Sequence, residues 1–260
     1  MAIDTKAAPV IRNALRLIVD NRRFFVGISR IAYVSLTIFA FVKFLTDDVG
    51  ILVLPLAFAS LVLSLVIGTV LAVATHRYVI LGKIKNEISL YTGIGIRELM
   101  FAAVGLLISL FMGLVVAIVL SSTILNFLSA SLGSTISFLF IPAILFSLYF
   151  FAPYLLIFPF IAIDKLPVFR QALPDLRNYR PLIFKALLST FILYLIPLLT
   201  LVTLFAQVKG SLLFIVHSGV VAVVITAYDI LGTFFFVVVA SLLYKKIADD
   251  VIQKRVGEST

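Results

Sequence analysis

An all-α membrane protein with six transmembrane helices, arranged as three tandem hairpins, is the fold this sequence predicts. Three observations predict it. Of the 260 residues 63% are hydrophobic and only 13% charged, with a mean hydropathy of +1.23, whereas soluble domains run near about 45–50% apolar and about 25% charged. The apolar residues gather in six stretches, each of roughly the 20 residues that cross a bilayer. The basic residues gather beside those stretches, on one side. A chain this apolar has too little polar surface to cover a water-soluble body, so it is expected in lipid as a multi-pass protein.

The elements follow in order. Segment 7–23 opens with Pro9, which suits a first helical position because its missing N–H is not needed there. Val10, Ile11, Ala14, Leu15 and Ile18 then share one helical face, flanked by Arg12, Arg16 and Arg22, the pattern of a helix lying in the membrane surface. Hairpin 24–75 holds spans Phe24–Leu45 and Ile51–Thr75; connection 76–98 leads to hairpin 99–163, with spans Leu99–Leu128 and Phe138–Ile163. A second interfacial segment, 164–181, precedes hairpin 182–244, with spans Leu182–Ala206 and Gly219–Tyr244, and a tail, 245–260. The apolar run Ser211–Ser218 either extends the sixth span or lies in the interface. The first apolar run is too long for a cleavable signal peptide and lacks a small-residue cleavage pattern after it.

Orientation follows from the cations. Lys6, Arg12, Arg16, Arg22 and Arg23, then Arg77, Lys83, Lys85 and Arg97, then Lys165, Arg170, Arg177, Arg180 and Lys185, then Lys245, Lys246, Lys254 and Arg255 fall on one side. Only Lys43 and Lys209 fall on the other. By the positive-inside rule the first side is cytoplasmic, both termini lie there, and an even number of spans is required. The external connections, Thr46–Gly50 and Ser129–Ser137, are too short to hold a receptor or catalytic domain.

Two cytoplasmic stretches repeat. Pro9–Phe25 and Pro167–Ile183 align without gaps and share Pro9/Pro167, Val10/Val168, Arg12/Arg170, Ala14/Ala172, Leu15/Leu173 and Arg22/Arg180. Each feeds a span; in the second copy Pro174 is expected to break or kink the helix. The middle connection, with its weaker pattern, is inferred to complete a threefold plan.

Small residues recur at four-residue steps: Ser60, Ser64, Gly68 and Ala72 in the second span, and Gly105, Ser109, Gly113, Ala117 and Ser121 in the third. Such ladders let backbones approach closely, where lipid supplies no hydrophobic force between helices; lining a narrow solute path is the alternative use. Pro142, Pro153 and Pro159 interrupt the fourth span and Pro197 the fifth, as simple kinks or as the broken helices of a binding site. Asp229 is an acidic residue deep in a span and therefore a functional candidate. It is a proton-coupling carboxylate, or a partner for Arg30, or a protonated acid bonded to a backbone carbonyl, Tyr228 or Thr233. Helical rise puts Arg30 about 9 Å and Asp229 about 20 Å from the cytoplasmic ends.

Catalysis is not expected. There is no cysteine, no HExxH, no GxSxG and no glycine-rich phosphate loop. His76 and His217 are placed at opposite ends of their spans and cannot share a metal. No catalytic, metal or cofactor residue is therefore assigned. The net charge of +9, set beside membrane spans, points away from nucleic acid and toward anionic headgroups on the cytoplasmic leaflet. The expected contacts are Arg12, Arg16, Arg22, Arg170, Arg177 and Arg180.

His76-Arg77-Tyr78-Val79-Ile80-Leu81-Gly82, followed by Arg97-Glu98-Leu99, resembles the first connection of a group of bacterial six-helix inner-membrane proteins. That group is related to the membrane domain of glycerophosphoryl diester phosphodiesterases. Phe158-Pro159-Phe160-Ile161-Ala162-Ile163-Asp164, leading into Phe169-Arg170-Gln171-Ala172-Leu173, resembles its second. The chain departs from the group at Pro153, where members often carry arginine, and at Leu176-Arg177-Asn178-Tyr179. No phosphodiesterase domain is present, so the resemblance implies a bacterial inner-membrane module and not that activity. The expectation is thus a non-catalytic module engaging lipids or a membrane-protein partner. The alternative is a small-solute permease or channel using Asp229 and the proline-broken fourth span.

Overall fold

In the computed structural model the described residues are 6–46, 50–82, 95–108, 110, 145–146, 148–165, 173–206 and 214–257. They form helices, with no strand among them. We number α1 (Ala8–Asp20), α2 (Arg22–Thr46), α3 (Gly50–Leu81), α4 (96–108), α5 (Ile157–Ala162), α6 (Arg180–Ala206) and α7 (Phe214–Gly257). A 3-10 turn, Ala152–Leu156, leads into α5.

The protein is an all-α membrane protein. Four helical stretches are long and apolar enough to cross a bilayer: Arg22–Val42, Val62–Leu81, Arg180–Leu201 and Gly219–Asp250, with a shorter apolar helix at Leu148–Ala162. They overlap the first, second, fifth and sixth predicted spans, but the helices run past two predicted ends, to Leu81 instead of Thr75 and to Gly257 instead of Tyr244, because the helical backbone continues beyond the most apolar stretch. Of the third only α4 and residue 110 are described, and of the fourth only the stretch from 145 onward without 147. Ser109, Gly113, Ala117, Ser121, Pro142 and Arg170 lie outside the described residues.

The core is organised around α7. It has 44 residues, which at 1.5 Å each makes about 66 Å, roughly twice the hydrocarbon thickness. Its start at Phe214 takes most of the Ser211–Ser218 run into the sixth helix. Helices α1, α2, α3, α5 and α6 all pack on it. Its residues Ile230, Phe234, Val238, Val239, Leu243 and Ile247 join Phe25, Ile28 and Ala32 of α2 and Leu182, Ile183 and Ala186 of α6 in one buried cluster. Phe25 meets Phe234 edge-on, ring centroids 5.0 Å apart.

The repeat is visible in the backbone. A one-residue turn at Asn21 separates α1 from α2, and a turn at Tyr179, the aligned position, separates helical residues 173–178 from α6. The buried residues that follow also correspond: Phe25, Ile28 and Ala32 in α2, and Ile183, Ala186 and Thr190 in α6. Residues 173–178, with Pro174 among them, are helical. The break within the described residues comes at Tyr179.

Proline acts differently at different places. Pro55 and Pro197 lie inside continuous helices. Near Pro153 the helix tightens to the 3-10 turn Ala152–Leu156, and Pro153, Leu156 and Pro159 are all fully buried. This part of the fourth predicted span is packed core and not the wall of a wet cavity. Gly82, with φ 83°, closes α3 in the left-handed conformation that glycine adopts without strain.

Candidate functional site

Polar side chains converge at two places, one at the basic end of the bundle and one inside the spans. At the first, the two motif stretches, far apart in sequence, meet. Asp164 follows α5 with a left-handed φ of 60°, and its carboxylate faces Arg97 at the start of α4. Arg97 Nε donates to Oδ1 at 2.8 Å and its Nη2 donates to Oδ2, a bidentate pair. Arg77 of α3 brings Nη1 to 3.6 Å from Oδ2 and also donates to the Ala162 carbonyl at 3.5 Å. Arg97, first through its hydrogen bond and then its charge, with Arg77 adding to it, outweighs partial desolvation and holds the Asp164 carboxyl below its ordinary value.

One residue from Arg77, His76 is buried between α3 and α7, with Nδ1 2.7 Å from Ser241 Oγ. The single hydroxyl proton of Ser241 goes to the Val237 carbonyl at 2.8 Å. Nδ1 of His76 is therefore the donor in the pair. Phe101 of α4 lies against the imidazole and Phe158 against Phe101, centroids 5.9 and 4.7 Å apart. Tyr78 stacks on Phe24 at 3.8 Å and donates to Asn21 Oδ1 at 2.6 Å, while Asn21 Nδ2 donates to the Leu17 carbonyl at 2.9 Å. The end of α3 thus holds α7, α4, α5 and the α1–α2 turn. Chemically this is an ion-paired, hydrogen-bonded clamp; among the described residues no three His, Cys, Asp or Glu side chains gather as metal ligands.

The second place is the α6–α7 face. Tyr194 Oη donates to Asp229 Oδ1 at 2.7 Å, and Tyr228 Oη donates to the Tyr194 carbonyl at 2.6 Å. The two tyrosine rings stack, centroids 5.1 Å apart. Gly232 makes this possible: a Cβ there would stand 2.6 Å from Tyr194 Cδ2. Thr233 bonds the backbone carbonyl of Asp229 and not its carboxylate. Of the partners offered by the sequence, none is the observed one. Arg30 is exposed on α2, and the carboxylate is held by Tyr194.

The remaining predicted positions divide. Arg12, Arg16, Arg22 and Arg177 are exposed. Arg180 is half-buried over Phe150, 4.7 Å from its centroid, and near Tyr149 at 5.6 Å, a cation–π shelf. Its shielded Nε has no hydrogen-bond partner among the described residues. Ala72 is buried with Val73, Phe101, Ile161, Ala162 and Val237, and a Cβ built on Gly105 would stand 4.0 Å from Phe158 Cε1. Ser64 is exposed, and nothing stands within 4 Å of a Cβ built on Gly68. The second-span ladder therefore makes a buried contact at its basic end, at Ala72, but not at Ser64 or Gly68.

Sequence reasoning missed the Arg77–Asp164–Arg97 clamp, the His76–Ser241 bond, and Tyr194 with Gly232. A signal existed for some. Arg97 and Asp164 bracket the predicted second hairpin, on the one side expected from the basic-residue count, and Tyr194 and Asp229 both sit about 20 Å from the basic ends of their predicted spans. No family model, no curated protein and no solved structure matches the chain, so the reading of these sites rests on their own geometry.

Proposed function

We propose that the chain is a non-catalytic module of a bacterial inner membrane. It crosses six times as three tandem hairpins with both ends cytoplasmic, and it engages anionic lipid or a membrane-protein partner through its basic face. One observation carries this reading: the division of labour among polar side chains. Those between helices join helix to helix, as in the buried His76–Ser241 pair, the partly buried Tyr78–Asn21 pair and the exposed Tyr194–Asp229 pair. Meanwhile Arg12, Arg16, Arg22, Arg23 and Arg177 stand exposed near the start of a span. The lopsided basic distribution supports the orientation, and the likeness to the bacterial group supports the compartment.

The test is gentle extraction into lipid discs followed by mass spectrometry of what accompanies the protein. Anionic phospholipid or a stoichiometric protein partner supports the module; its release with neutral lipid alone and no partner ends that reading. A second reading, a permease, is favoured by one feature, the exposed Asp229 within its span. Its test is Asp229→Asn in reconstituted vesicles, where loss of proton-linked solute uptake with the fold intact would replace the module by a transporter.

A further inference from the structure

Helix α1 has more apolar arc than the bundle uses. Successive residues turn by about 100°, so Val10, Ala14 and Leu17 form one stripe, with Ile18 beside it. That stripe is spent on the core: Val10 and Ala14 are buried in the cluster that contains Leu243 and Ile247 of α7, and Leu17 and Ile18 pack against it. The next stripe round the helix is Ile11, Leu15 and Val19. It is still apolar, yet Leu15 is 49% and Val19 64% exposed. Directly beyond it stand Arg12 and Arg16, both exposed, and only past Arg16 comes Asp20. An apolar strip with a basic border is the arrangement that seats a helix at the boundary of headgroups and acyl chains. The arginines sit where phosphates lie and the aliphatic side chains just below them.

We infer that α1 is a two-sided anchor. Its inner stripe fixes it to the bundle, and its outer strip, Leu15 and Val19 bordered by Arg12 and Arg16, is embedded in the cytoplasmic leaflet among anionic phosphodiester headgroups. This rests on the lipid-engaging reading above and gives it a location. The stripe chosen for the membrane differs from the face expected from sequence, because part of that face is taken by α7. The occupant is argued from charge and from pattern: the bared residues are aliphatic, and their neighbours carry the charge opposite to that of phosphate.

The chain contains no tryptophan, so a single introduced indole reports its own surroundings. Val19→Trp and, as a reference on the polar side, Asn13→Trp are made in the full-length protein and reconstituted in phosphatidylcholine bilayers with phosphatidylglycerol. Both positions are exposed, and the native thermal midpoint verifies each fold. The expected result is blue-shifted emission at position 19, quenched by brominated acyl chains and protected from aqueous acrylamide, with the reverse at position 13. Each of Arg12→Gln and Arg16→Gln is expected to lower phosphatidylglycerol retention about fivefold. If the position-19 indole is quenched by acrylamide as freely as the reference, the anchor is overturned. Anionic lipid still held by that same preparation would leave the broader module reading standing. Protection from both quenchers would show a protein partner on the strip, and would equally overturn a lipid seat.

Discussion

Gly232 and Asp164 show how much a single position carries here. Gly232→Ala puts a methyl into the Tyr194 ring, and the ring must leave Asp229 to relieve it. Overpacking of this kind costs about 1–3 kcal/mol, expected as a lower thermal midpoint in lipid discs. Tyr194→Leu in the same chain should recover most of the loss; an equal penalty with and without the ring would exclude the close approach as its cause. At Asp164 the folded carboxyl is held below its ordinary value by Arg97. The contribution of the pair is therefore fully present above the ordinary carboxylate value of about 4 and is lost as pH falls through the lowered, folded one. The stability difference between the native chain and Asp164→Asn should hold steady near neutrality and shrink in acid. Since the Asp164 side chain is 58% exposed, added salt should shrink it as well.

At the scale of elements the contacts that matter join helices distant in sequence. Ser241→Ala removes the acceptor for His76 Nδ1 and leaves a buried donor unpaired between α3 and α7. The expected cost is about 1–3 kcal/mol. Replacing both partners, as in His76→Leu with Ser241→Ala, should cost less than the two single losses summed; strict additivity would show the pair does not interact. Tyr78→Phe should loosen the α1–α2 turn, since Asn21 would lose the hydroxyl that fixes its Oδ1. Faster amide exchange confined to residues near Asn21, with α6 and α7 unchanged, is the expected signature. Part of this was legible beforehand. The breaks at Asn21 and Tyr179 stand at aligned positions of a repeat that the residues display, and Gly82 closes α3 at the end of its motif. The partners across the bundle were not legible, because nothing local distinguishes a serine facing histidine from a serine bonded only to its own helix.

For the whole molecule, the positive-inside count makes a cheap prediction. Reporter fusions after Asp48, Ser131 and Lys209 should read external, and fusions at either terminus cytoplasmic; termini on opposite faces would contradict the orientation. The long α7 also has a consequence at this scale. About 66 Å of helix cannot be contained in about 30 Å of hydrocarbon. Its basic end therefore extends beyond the bilayer, where α1 packs beside it. The outer strip of α1 would then set the height of the central helix relative to the leaflet.

The sequence by itself determined the solvent, the class and the places of the spans that are described, though not their ends, since α3 runs on to Leu81 and α7 to Gly257. Those depend on hydropathy summed over about twenty residues and on where cations fall, both local quantities. It also marked Asp229 as exceptional, since an ionisable group is conspicuous against an apolar background. Only the tertiary structure decided which face of each helix meets another helix and which meets lipid. Inside a bilayer both surroundings are equally apolar, so burial leaves no periodic trace in residue choice. That is why Tyr194 as the partner of Asp229, the clamp on Asp164 and the central place of α7 emerge from packing, while the membrane itself is evident in the residues.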